Sequence, residues 1–90
     1  MHKILIVEDE PKVASFIKKG LEENYYEADV AYDGIMAEKM AEQNNYHLYI
    51  LDIIIPHLNG LELCKRLKRS RPSVPVILLT ALGTTEDKLE

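Results

Sequence analysis

Short apolar runs alternate with longer amphipathic stretches along this chain, and that alternation predicts an α/β fold. Lys3–Val7 is an unbroken β-branched or leucine run after the lysine, which suits a strand buried on both faces. It stops at Glu8-Asp9-Glu10. Pro11 fits the first turn of a helix, and Val13, Ile17 and Leu21 recur every four residues with Phe16 beside them, as one apolar stripe. A second strand is predicted over Ala28–Tyr32 and a turn at Asp33-Gly34. The next helix spans Ile35–Glu42, with Met36 and Met40 on its inner side and Asn44-Asn45 ending it. Leu48–Leu51 is a third apolar run, ending at Asp52, and Pro56 stops any further ladder because it has no N–H. Asn59 and Glu62 have the spacing of a capping box for a third helix, whose inner side would hold Leu63, Cys64 and Leu67. Glu62 and Arg66 form an i,i+4 pair of favourable polarity. Val74–Leu79 is the fourth strand, ending at Thr80, and Thr84-Thr85-Glu86-Asp87 starts another helix.

Strands that alternate with helices argue for a parallel sheet with right-handed crossovers. In such sheets ligands bind beyond the carboxyl ends of the strands, where the strand order reverses. If the order is 2-1-3-4, strands 1 and 3 flank that point, and Glu8, Asp9, Asp52 and Thr80 converge from distant parts of the sequence. Three carboxylates in one crevice repel one another unless a cation sits among them. Mg2+ suits an all-oxygen set and leaves room for a phosphate oxygen, and an aspartate carboxylate is a competent nucleophile towards phosphorus.

Composition narrows the range of functions. Ninety residues set a ceiling of one domain, taken as 1–90. The net charge of -4 and pI of about 5.3 argue against this segment itself binding nucleic acid, though a partner domain could. Cys64 is the single cysteine, so no internal disulfide forms, which fits a reducing compartment. The Ile4–Val7 run is too short for a signal-peptide core or a membrane span, so the cytoplasm is the expected location, with no membrane partner. Taken alone, Glu8-Asp9-Glu10 reads as a solvated helix cap, Asp52 as a strand terminator and Thr80 as an ordinary strand end; only the constellation raises them. Cys64 is expected in the core, and the cluster Lys65, Arg66, Lys68, Arg69 and Arg71 is expected to be a solvated helix end.

Three segments carry a family likeness. KILIVEDE, LDIIIPHLNG and VPVILLTA resemble the first, third and fourth strand motifs of the receiver domain of two-component response regulators. The likeness covers all 90 residues in the right order. It implies a flavodoxin-like doubly wound parallel sheet of order 2-1-3-4. It also implies roles. Asp52 is the phosphoacceptor, taking the phosphoryl group from a sensor histidine kinase. Glu8, Asp9, Asp52 and the backbone carbonyl of Ile54 bind Mg2+, and Thr80 is the switch hydroxyl. The module is a signalling phosphoacceptor whose phosphotransfer and dephosphorylation are self-directed, so it is not a conventional enzyme. The stretch LLTALGTTEDKLE resembles receivers that precede a winged-helix DNA-binding domain, which implies a C-terminal output domain acting in transcription.

Two other readings stand beside this one. A flavodoxin-like interaction module without phosphorylation keeps the same fold. A phosphohydrolase needs a second aspartate two residues after the nucleophile, where Ile54 stands. Receivers also carry a fifth strand bearing a lysine, and a last helix, neither of which lies within residues 1–90. The segment is therefore expected to be incomplete at its C-terminus, to bind Mg2+ yet phosphorylate poorly, and to dimerise through an exposed sheet edge.

Overall fold

A computed structural model describes residues 2–52 and 59–79. Its elements are β1 (Lys3–Val7), α1 (Pro11–Glu23), β2 (Glu27–Ala31), α2 (Gly34–Gln43), β3 (Leu48–Asp52), α3 (Gly60–Ser70) and β4 (Val76–Leu79). The four strands form one parallel sheet in the order β2-β1-β3-β4, as the family likeness implied. The path steps from β1 to β2 in one direction, then reverses to reach β3 and β4. With crossovers of one hand, that reversal puts α1 on one face of the sheet and α2 and α3 on the other.

The two cores follow that division. Leu5, Val7, Tyr49 and Leu51 pack with Ala37 and Ala41 of α2 and Leu63 and Leu67 of α3. Ile4, Ile6, Ala28 and Ile50 face the other way, against Ile17 and Leu21 of α1. Successive side chains on a strand point to opposite faces. The unbroken runs in β1 and β3 are therefore what a sheet covered on both sides requires.

The helices correct some expectations. The inward positions of α1 are Ala14, which is buried, and the half-buried Ile17 and Leu21, whereas Phe16 is 80% exposed and Val13 43%. At 3.6 residues per turn, Phe16 lies about 200° around the helix from Ala14 and cannot share its face. Met40 packs on the core as expected, but Met36 is exposed. Gly34 and Ala37 take the buried positions of the first turn of α2. The fourth strand starts at Val76, not Val74: the Val74 N–H is turned back to the Arg71 carbonyl, and Pro75 offers only its carbonyl, to Tyr49.

Caps and turns account for the ends. The Asp33 carboxylate accepts from the Met36 N–H at 2.8 Å, and Asn59 Oδ1 accepts from Leu61 and Glu62. Glu62 pairs with Arg66 at 3.6 Å, as its spacing predicted. The basic side chains within α3 are exposed, as expected of a solvated helix end, yet some also bond within the fold: Arg66 reaches Glu38, Lys68 donates to the carbonyls of Pro72 and Val74, and Arg71, just past the helix, donates to Asn45 and the Ala41 carbonyl. After α1 the chain turns through Tyr25, whose φ of 67° lies in the left-handed region. The expected strand stop at Pro56 and helix start at Thr84 lie outside the described residues.

Candidate functional site

The site is assembled by the ends of two adjacent strands. In the β1–β3 register Val7 is level with Leu51, so the next residues, Glu8 and Asp52, emerge side by side where the strand order reverses. Glu8 continues the ladder by one bond, its N–H donating to the Ala31 carbonyl at 3.0 Å. The chain then turns, and Pro11 opens α1. Within that turn the Glu10 N–H donates to Glu8 Oε2 at 3.0 Å and fixes the carboxylate over the sheet edge.

Glu8 and Asp52 are 6% and 7% exposed, and they are the buried charged residues among those described, while Asp9 stands at the solvent side. One carboxylate oxygen from each of the three lies within 4.8 Å of the others. Like charges at that separation near a protein surface repel by about 3–4 kcal/mol per pair. The proton affinity of Glu8 records the strain: its pKa rises from 4.5 to about 7. Loss of hydration is the largest cause, the charges of Asp52 and Asp9 add to it, and the Glu10 N–H opposes it.

An all-oxygen cluster of three carboxylates this close together is a chemical match for a hard divalent cation. Glu8, Asp9 and Asp52 thus meet as the strand ends predicted. Thr80 and Ile54, the other expected site residues, lie outside the described residues. The Glu10 N–H left no trace in the sequence, because every residue but proline carries a backbone donor. A second polar cluster was also missed, at the opposite end of the sheet. There Tyr46 donates to Asp29 at 2.7 Å, and Lys3 lies 3.8 Å from Asp29 and 3.2 Å from Asn44 Oδ1.

Comparison with known proteins follows the same lines. The family model for the response regulator receiver domain matches residues 4–90. The chain is 43% identical over 89 residues to response regulator ArlR of Staphylococcus saprophyticus, a match covering 99% of this chain and 40% of that protein. It is 40% identical over 88 residues to transcriptional regulatory protein CusR of Escherichia coli, covering 98% of this chain and 39% of that one. The chain therefore spans about two fifths of the length of these curated relatives. Among solved structures, response regulator TrrA of Thermotoga maritima in complex with Mg2+-BeF superposes with a TM-score of 0.88 at 38% identity, covering 99% of this chain and 77% of TrrA. In a complex of TrrA with histidine kinase ThkA, the match has a TM-score of 0.85 at 41% identity, over 90% of this chain and 70% of the matched one. Fold, strand-end carboxylates and sequence likeness agree, and this chain belongs to the response-regulator receiver-domain family.

Proposed function

We propose that this domain is a phosphoacceptor switch in which Asp52 takes a phosphoryl group from a phosphohistidine of a sensor histidine kinase, in a Mg2+-dependent, self-directed reaction. The observation that carries the reading is the meeting of Glu8, Asp9 and Asp52 within 4.8 Å at the reversal of strand order. Glu8, Asp9, Asp52 and the backbone carbonyl of Ile54 are the proposed metal ligands. Bound there, Mg2+ supplies charge neutralisation for the phosphoryl oxygens.

The chain's own residues do the rest. The Glu10 N–H holds Glu8 in place, so that two carboxylates can serve as ligands while Asp52 keeps an oxygen for the phosphorus. That oxygen forms the new P–O bond as the bond from phosphorus to the donor imidazole breaks. The product adds about -1.5 to -2 charges at the end of β3. Thr80 then donates a hydrogen bond to the phosphoryl group, which biases a two-state surface. A kinase partner is supported by the ThkA–TrrA complex, and a DNA-binding output domain by relatives that are transcriptional regulators of more than twice this length. The domain is taken to be residues 1–90 of a longer receiver working in the cytoplasm; among the described residues, no helix is long and apolar enough to cross a membrane.

Titration with Mg2+ and then beryllofluoride, followed by NMR, tests the reading. The switch predicts Mg2+ shifts at Asp9 and Asp52, then beryllofluoride shifts at Asp52 and Thr80 that vanish in Asp52→Asn. A spectrum that ignores both additions means an interaction module instead.

A further inference from the structure

The amino-terminal ends of β1 and β3, opposite the carboxylates, are joined by a two-point contact that phosphorylation does not use. His47, the residue before β3, donates its N–H to the Lys3 carbonyl at 2.7 Å. Its imidazole Nδ1 accepts the Lys3 N–H at 2.9 Å. The ring thus stands where a further strand carbonyl would stand and satisfies the first donor of β1. The His2 ring meets it edge-on, with centroids 4.7 Å apart.

A ring nitrogen accepts a hydrogen bond only when it carries no proton, so this bond requires the tautomer with bare Nδ1 and protonated Nε2. Protonation at Nδ1 would set a donor against a donor. It would also place a positive charge beside His2 and Lys3, at an exposed position where Glu27 of β2, in register with Lys3, is the nearest strand carboxylate on that side. The Lys3 ammonium is already turned to Asp29 and Asn44. Towards β2 the neighbouring ring is Tyr26, and the groove rimmed by both histidines is otherwise apolar: Leu21 of α1, Ile50 of β3, and Pro75 and Ile77 at β4. No carboxylate lines that groove among the described residues.

We propose that His47 is an acid-sensitive clasp: neutral, it locks the open end of β1 onto β3; protonated, it releases the Lys3 N–H and lets that end of the sheet fray. Histidine is the side chain that switches charge near physiological pH, so the two states are compared at about pH 8 and about pH 5. Amide exchange by NMR in the full chain, corrected for intrinsic rates, reads the effect. Loss of one such bond predicts that Lys3 protection falls about tenfold over that range, with little change at Leu5. His47→Asn keeps an acceptor oxygen without titrating, so Lys3 should stay equally protected at both pH values. His2→Asn should keep the wild-type response. Imidazole 15N shifts should report bare Nδ1 and protonated Nε2 on His47 at the higher pH. Unchanged Lys3 protection in the wild type overturns the proposal. So does an equal fall in His47→Asn, which would assign the effect to another group such as Glu8, and so does the opposite tautomer.

Discussion

Replacing Glu8 with glutamine removes one of the three charges crowded at the ends of β1 and β3, and its effect on stability has a definite sign. The folded carboxyl of Glu8 takes up its proton at about pH 7, against 4.5 when solvated. A group whose affinity is raised by folding contributes full stability below its unfolded value. That contribution is lost as pH rises towards the folded one. At about 1.4 kcal/mol per tenfold change in proton affinity, the rise sets a ceiling of about 3 kcal/mol. Screening at the crevice mouth reduces this to about 2 kcal/mol. Metal-free protein should therefore become less stable from about pH 5 to about pH 8, and the loss should be concentrated below pH 7. Glu8→Gln has no proton to lose and should flatten that slope, making the variant the more stable protein at pH 8 in chelator. Saturating Mg2+ should restore the wild type at pH 8, because a cation then does what the proton did, and should help the variant less. Urea unfolding at two pH values, with EDTA or Mg2+, measures all four quantities. A wild-type stability that is flat or rises over this range, or a variant with the same slope, refutes the electrostatic account of the site.

Three further changes test the scaffold. Tyr25 holds a φ of 67° while 82% exposed, so Tyr25→Gly should relieve left-handed strain and stabilise by about 1 kcal/mol, read as a higher urea midpoint. A Cβ on Gly20 of α1 would meet nothing within 4 Å, so Gly20→Ala should add about 0.5–1 kcal/mol through helix propensity. Tyr46→Phe removes the donor to Asp29 and should cost about 1 kcal/mol in urea unfolding; an unchanged midpoint would mean that the Tyr46–Asp29 bond contributes nothing net.

The strands were legible because burial on both faces leaves a run with no polar interruption, as in β1 and β3. Strand order was not in the periodicity; it came from the likeness of three motifs, and the register of Val7 with Leu51 then brought Glu8 beside Asp52. The helices were read less well, because apolar residues at near-helical spacing do not reveal which face meets the sheet. Ala14, a small side chain of modest hydrophobicity, marks the contact face of α1, while the larger Phe16 stands in solvent. The carboxylate cluster was visible from the strand ends once that order was supposed, but its support by the Glu10 N–H was not. Nor was the clasp at His47, since a histidine bonding to backbone has no sequence signature.

The central claim is that Asp52 is the group that forms a bond to phosphorus. Incubation with acetyl phosphate and Mg2+, then borohydride reduction and peptide mapping, tests it directly. An acyl phosphate at that position should be trapped as homoserine at residue 52, dependent on Mg2+ and absent in Asp52→Asn. Homoserine at another aspartate, or incorporation that survives EDTA unchanged, would contradict the account.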